Sequence, residues 1–444
     1  MVVREPAMDW RQQCAEKLVS PEEAVKVVRS GDVVWAGGWT SVPVTLCDAL
    51  ARRRGELRDV RLYTFLSPYP WDQPGIRDSF EVITAFASPA DRKGVQEGRI
   101  EYLPVSQFKR GHLPPGVDHA FDVALIPISP PDRHGFCSFG AGVWFGPTIS
   151  RHATTLVGEV HEEYIRTGGE NYIHVSQFER LTVAGPPAPP PIPPRSEEVV
   201  YAAEVICTLV ATELIRDGDT LQMGVGDVSA ALAVYLQDKH DLGIHTEIIP
   251  GGVASLVQQG VVTGRYKTLH PGKVVGSSFV QLSPEELDYV DGNPVFELYD
   301  FTYTDDLRNL LQLEHFKAIN NALAVDLTGN ICAETRGASI FSGPGGQTVF
   351  CVAASYTSGG AIIVLPSSQL VDGQRVSRVV PVLDQGSAIT VQRGFVDYVV
   401  TEQGIARLRG KTLRQRVSEL IAVAHPDFRG ELRQQARRYY GLDV

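Results

Sequence analysis

Apolar residues along this chain fall into short runs separated by polar, glycine-rich and proline-rich breaks. Val33-Val34-Trp35-Ala36, Val123-Ala124-Leu125-Ile126, Thr220-Leu221-Gln222-Met223, Ala361-Ile362-Ile363-Val364-Leu365 and Tyr398-Val399-Val400 are the clearest. Short, nearly unbroken apolar runs bounded by turn formers are the pattern of strands buried on both faces, as in a parallel sheet. Helical signals lie between them. Ser20-Pro21-Glu22-Glu23 supplies an N-cap, a proline at the first helical position and a capping-box glutamate, so a helix is expected to about Val28. Leu413 to Ala424 has helical spacing and stops before Pro426. Strands alternating with helices predict an α/β fold built on mainly parallel sheets.

Two stretches share one pattern. Val28-Arg29-Ser30-Gly31-Asp32 leads into an apolar run and Gly37-Gly38; Ile215-Arg216-Asp217-Gly218-Asp219 leads into another and Gly224-Val225-Gly226. In each, a helix ends at a Gly-Asp turn, a strand follows, and a glycine loop closes it. This predicts a structural duplication. Between the copies, Gly185 to Arg195 reads GPPAPPPIPPR. Proline removes donors and holds the chain extended, so this is a spacer. The expected division is a domain over residues 1–184, a linker over 185–196 and a second domain over 197–444.

Composition narrows the class. A chain of 444 residues can bury ample core without metal or disulfide support. The net charge of −11 argues against a nucleic-acid binder. No apolar run approaches the roughly 18–20 residues that span a bilayer. MVVREPAMDWRQQC has no apolar core for a signal peptide, so the cytoplasm is the expected location. The six cysteines form no CxxC pair, so neither a metal site nor a disulfide framework is expected, and they read as small buried hydrophobes.

Two glycine loops and one carboxylate are the candidate chemistry. Gly224-Val225-Gly226-Asp227-Val228-Ser229 follows a strand and precedes an apolar helix to about Leu236. Such a corner lets a ligand approach the backbone and offers N–H groups to an anion. With Glu247 about 20 residues on, it also fits a dinucleotide-binding turn with a ribose-binding acid, although Ser229 departs from that fingerprint. Ser342-Gly343-Pro344-Gly345-Gly346-Gln347 is either a surface hairpin or a loop presenting backbone donors to a carbonyl oxygen. Glu247 lies between apolar neighbours, followed by Gly251-Gly252, and His245 beside it reads as a packing residue rather than a base.

Longer motifs add a resemblance. DVALI (122–126), SPPDRHGFCS (129–138), IHVS (173–176), GIHTE (243–247), VDLTGNICAE (325–334), SGPGGQ (342–347), DYVVTEQGIARLRGKT (397–412) and AHPDFR (424–429) resemble, in order and over nearly the whole chain, the acetyl-CoA hydrolase/transferase family of 4-hydroxybutyrate, acetate and butyrate CoA-transferases. The resemblance implies two related open α/β domains with the active site at their interface. It also implies acyl-CoA and small carboxylic acids as substrates, coenzyme A as the carried group, no metal, and a homodimer or homotetramer. Glu247 becomes the nucleophile of a ping-pong reaction through a mixed anhydride and a glutamyl-CoA thioester. The residues Gly224, Val225, Gly226, Asp227 and Val228 are implied for CoA, and Gly345 or Gly346 for the thioester oxygen. A hydrolase would use the same glutamate, and a non-catalytic acyl-CoA binding protein would keep the fold alone. Ser229, Pro344, Val352 and Ser358 depart from the family pattern. Those changes, with Trp35 and Trp39 near the first glycine pair, suggest an acyl group larger or more apolar than acetate.

Overall fold

The buried apolar runs become the central strands of two parallel sheets in the computed structural model, which describes residues 9–105, 121–186, 196–226, 228 and 231–444. Asp227, Ser229 and most of the proline-rich spacer lie outside the described residues. By packing, the described residues before 187 and the segment Leu287–Thr302 form one unit; those of 196–286 and 303–444 form the other. The segment 287–302 thus packs with the first unit, although it falls within the stretch read from sequence as the second domain.

The first unit contains β1 (Val33–Gly38), β2 (Val60–Phe65), β3 (Phe80–Thr84), β4 (Glu101–Tyr102), β5 (Phe121–Ile128), β6 (Ala153–Val160) and β7 (Phe178–Val183). They lie in the order β7-β6-β5-β1-β2-β3-β4, and every pairing is parallel. Val34, Ala36, Leu62, Val123, Leu125 and Val157 pack with Leu46, Cys47 and Leu50 of the helix Val44–Arg52. Burying each such leucine stabilises by about 1.5–3 kcal/mol. Ser20 does cap its helix, its Oγ accepting from the Glu23 N–H at 3.2 Å. That helix ends at Ala24 and tightens into a 3₁₀ turn over Val25–Val27, shorter than expected, where β-branched residues crowd the helical turn.

The second unit contains β8 (Thr220–Met223), β9 (Gly243–His245), β10 (Val274–Gly276), β11 (Phe316–Asn321), β12 (Gly360–Val364), β13 (Tyr398–Thr401) and β14 (Gly404–Arg407). Their order is β14-β13-β12-β11-β8-β9-β10, parallel except for the closing hairpin β13–β14. In both units the first strand is central, the next ones extend to one side (β2, β3 and β4 in the first, β9 and β10 in the second), and the later ones stack on the other. Gly31 and Gly218, the turn glycines before those first strands, both have positive φ (88° and 80°). The duplication expected from spacing is therefore present as topology. Thr412 and Gln415 form a capping box at the helix Leu413–Ala422. Pro426 also opens the next helix, Pro426–Tyr440. The six cysteines are all buried and free. Among the described residues, no helix is long and apolar enough to cross a membrane.

Candidate functional site

The second sheet reverses direction between β8 and β11: from β8 the chain adds strands on one side, from β11 on the other. At such a switch point the loops beyond the strand C-termini diverge and leave a crevice. Gly224 follows β8 there. Its N–H donates to the Ile319 carbonyl at 2.8 Å. A Cβ at Gly224 would meet Asn320 Oδ1 at 2.5 Å, so only glycine fits. Gly226, with φ 142°, is equally tight: a Cβ would meet the Asn321 amide at 2.5 Å. Asn321 Nδ2 donates to the Val225 carbonyl (2.9 Å), and Asn320 forms a reciprocal amide pair with Gln222 (2.8 and 3.2 Å). Val225 is half-exposed, while Val228 is buried with its carbonyl accepting from the Cys207 thiol. Gln222, Asn320 and Asn321 shape this loop and were not singled out from sequence. The doubled asparagine at the end of an apolar strand was the available signal.

Glu247 lies just past the C-terminus of β9. Thr246 Oγ1 ties this turn to β8, accepting from the Met223 N–H (3.2 Å) and donating to main-chain carbonyls of Met223 and Ile248. The Glu247 carbonyl accepts from the Ser277 and Ser278 N–H groups at 2.9 and 3.1 Å, which fixes its main chain. The side chain is partly buried. It is met by the Gly346 N–H, where the ten-residue helix Gln347–Tyr356 begins. The first N–H groups of a helix are free and its dipole is positive there, which favours an anion. A Cβ at Gly346 would meet Glu247 Oε2 at 2.5 Å and Phe350 Cε2 at 2.7 Å. Gly345 instead takes the left-handed turn before it, with φ 53°. Ser342 anchors the loop through its N–H to the Glu334 carbonyl (3.1 Å) and its Oγ to the Ala333 carbonyl (3.0 Å).

Burial pushes the Glu247 carboxyl up to about 7, against hydrogen bonds to the Asp305 side chain and the Gly346 N–H that pull it down. Asp305 was missed in the sequence, where no motif surrounds it. His245 is fully buried and its imidazole is pushed down to about 3 by burial first, then by the Lys267 charge. It is neutral and packed, with Nδ1 lacking a hydrogen-bond partner among the described residues. Not every expected residue gathers here. Ser358 follows the C-terminus of the helix that starts at Gly346, about 15 Å away at 1.5 Å per residue, where it pairs with His315 Nδ1 (2.9 Å). The departures from the family pattern therefore do not all cluster around Glu247. In the first unit, Trp35 is buried against Phe121 and Phe145, while Trp39 stacks on Trp144 with ring centres 5.6 Å apart. Among the described residues, no group of three or more His, Cys, Asp or Glu side chains could hold a metal ion.

Comparison with known proteins agrees with the fold. Residues 4–210 match the acetyl-CoA hydrolase/transferase N-terminal domain, and residues 283–436 match the C-terminal domain of the same name. The chain is 35% identical to a 4-hydroxybutyrate coenzyme A transferase of Clostridium kluyveri, covering 98% of this chain and 100% of that protein. It is 33% identical to a succinyl-CoA:cyclohexane-1-carboxylate CoA transferase of Geobacter metallireducens, covering 98% of each. The crystal structure of RipA from Yersinia pestis superposes with a TM-score of 0.86 at 31% identity, covering 97% of this chain and 99% of that one.

Proposed function

This chain belongs to the acetyl-CoA hydrolase/transferase family, and on that premise we propose that it transfers CoA from an acyl-CoA to a free carboxylic acid through Glu247. One observation carries the reading. A glutamate at the strand C-termini sits against a bare glycine N–H that opens a helix, with no side chain between them.

In this reading the ionised Glu247 carboxylate attacks the thioester carbon. CoA leaves as the thiolate, and a mixed anhydride forms. The thiolate then attacks the Glu247 carboxyl carbon and expels the acyl group as a free carboxylate. The acceptor carboxylate reverses both steps on the glutamyl-CoA thioester. A carboxylate needs no base to become nucleophilic near neutrality, which is consistent with a neutral, packed His245. The Gly346 N–H, which donates to the Glu247 carboxyl, would stabilise charge developing on the glutamyl carbonyl. The bare backbone at Gly224 and Gly226 would admit CoA close to the main chain.

The test is to incubate the protein with acyl-CoA, reduce with borohydride and map modification by mass spectrometry. A glutamyl thioester is reducible and a resting carboxylate is not, so a reduced residue at position 247 is expected. Absence of modification with every acyl-CoA tried would overturn the reading. Thiol release that does not depend on an added carboxylic acid would instead indicate a hydrolase.

A further inference from the structure

The carboxyl groups of Glu247 and Asp305 converge on one point. A Cβ at Gly346 would strike Asp305 Oδ2 as well as Glu247 Oε2, so the two carboxyl oxygens flank one small space, and the Asp305 side chain acts to lower the Glu247 carboxyl. Ionised carboxylates are acceptors only, so two carboxyl groups this close can pair only when one of them carries a proton. Asp305 is 1% exposed, which removes the water that would screen two adjacent negative charges.

The surroundings orient that proton. Thr304 Oγ1 donates to Asp305 Oδ1 at 3.0 Å and lies 2.8 Å from Ser277 Oγ. With Thr304 donating onward, Ser277 donates to Thr304, and Oδ2 is the Asp305 oxygen that faces Glu247. The neighbouring ionisable groups are otherwise engaged. His245 is neutral, with Nε2 on the Thr304 carbonyl. The Lys267 ammonium donates to the Ile244 and Lys273 carbonyls. His270 contacts the Tyr303 hydroxyl, and Asp306 pairs with Arg308. From the helix side come Gly346 and Phe350.

We propose that Asp305 is a positioning residue that shares a single proton with Glu247, keeping it while Glu247 reacts. The catalytic half of this statement rests on the function proposed above. The resting pair carries one proton and one negative charge; the proton stays throughout, while the charge leaves on sulfur when the anhydride forms. When Glu247 bonds to the thioester carbon, the C–S bond breaks and the electron pair leaves on sulfur. The proton stays on Asp305 Oδ2, hydrogen-bonded to the Glu247 oxygen that does not attack. Loss of that proton leaves two facing carboxylates, which displaces Glu247 and repels the anionic substrates.

Two readouts separate this from a purely structural role. Wild type is expected to give a bell-shaped kcat/KM profile between about pH 5 and 9, with an alkaline limb falling tenfold per unit. Asp305→Asn, a permanent donor that cannot ionise, should stay within about threefold of the wild-type optimum and lose the alkaline limb. Asp305→Ala should lose about tenfold or more at every pH. Infrared difference spectra of the resting protein should show a protonated-carboxyl band that titrates away near neutrality and is absent from Asp305→Asn at pH 6. Superimposable wild-type and Asp305→Asn profiles, or no such band, would overturn the proposal. A titrating band in a protein that turns over no acyl-CoA supports the shared proton and counts against the transferase reading instead.

Discussion

Replacing Glu247 with glutamine should make the protein more stable at alkaline pH while abolishing transfer. Glutamine keeps the shape, its oxygen can accept from the Gly346 N–H, and its amide can donate to Asp305. Only the ability to carry a charge is lost. The magnitude follows from linkage. Burial raises the Glu247 carboxyl in the folded state from 4.5 to about 7, so the folded protein holds this proton more tightly than the unfolded chain. Stability from that preference is complete below about pH 4.5 and is lost as pH rises through about 7. At 1.36 kcal/mol per pKa unit, the loss reaches at most about 3 kcal/mol at pH 8. It is a ceiling because the proton belongs to the Glu247–Asp305 pair. The variant escapes the loss, so its advantage should be near zero at about pH 4.5, grow across that window, and be worth about 3 °C at pH 8. Thermal unfolding of both proteins at about pH 5 and 8 measures it. A difference that does not change with pH, or a variant less stable at pH 8, would refute the reasoning.

Other outcomes follow from the same geometry. Gly346→Ala forces a Cβ onto the two carboxylates and Phe350; it should cost about 1–3 kcal/mol in unfolding free energy and at least tenfold in kcat. Gly226→Ala places a side chain at φ 142° against Asn321; steady-state kinetics should show KM for acyl-CoA rising, with about 1–3 kcal/mol of strain in chemical denaturation. His245, pushed down to about 3, binds its proton only when unfolded, so its contribution is present above about pH 6.5 and lost as pH falls toward 3. His245→Gln should flatten the acid limb of a stability profile measured by urea unfolding. Across an acyl-CoA series, specificity should rise from acetyl to larger or more apolar groups; a preference for acetyl-CoA would contradict the inference drawn from the sequence at Ser229, Pro344, Val352 and Ser358 with Trp35 and Trp39.

Strands and glycine turns were legible because each is local: an apolar run between turn formers, or a glycine where φ must be positive, is complete within ten residues. The repeated Gly-Asp turn extended this to topology, and the strand order of the two units follows it. The site was legible only where it repeated a motif. Glu247 and the glycines of both loops stood in recognisable strings, but Asp305, Gln222 and Asn320 did not. A parallel sheet joins residues far apart in sequence through crossovers, so nothing near Asp305 announces that it meets Glu247. Ser358 shows how far a short sequence separation can reach. It follows the glycine loop closely in sequence, yet the helix between them carries it to the other end of the sheet.

The duplication also explains why only one copy needs a carboxylate. Both units place a glycine loop after a central first strand, so both have a crevice at a switch point. In the second unit that crevice is lined by amides, and Glu247 follows the neighbouring strand β9. In the first unit the residues after the corresponding strand β2 are Leu66 and Ser67, and the loop after β1 is walled by aromatic rings. Phe65 meets Phe86, Trp144, Phe145 and Phe301, and Trp39 covers Trp144. A Cβ at Gly38 would meet the Phe65 Cβ at 3.2 Å, so a larger residue there would be tightly packed. An aromatic crevice cannot stabilise an ionised nucleophile, but it can accept apolar surface. The glycine loop of the second unit thus lies beside charge and that of the first beside packed rings. Trp39→Ala, which removes the ring stacked on Trp144, should cost about 1–3 kcal/mol in unfolding free energy measured by chemical denaturation. An unfolding free energy unchanged by the substitution would refute the packing role of that crevice.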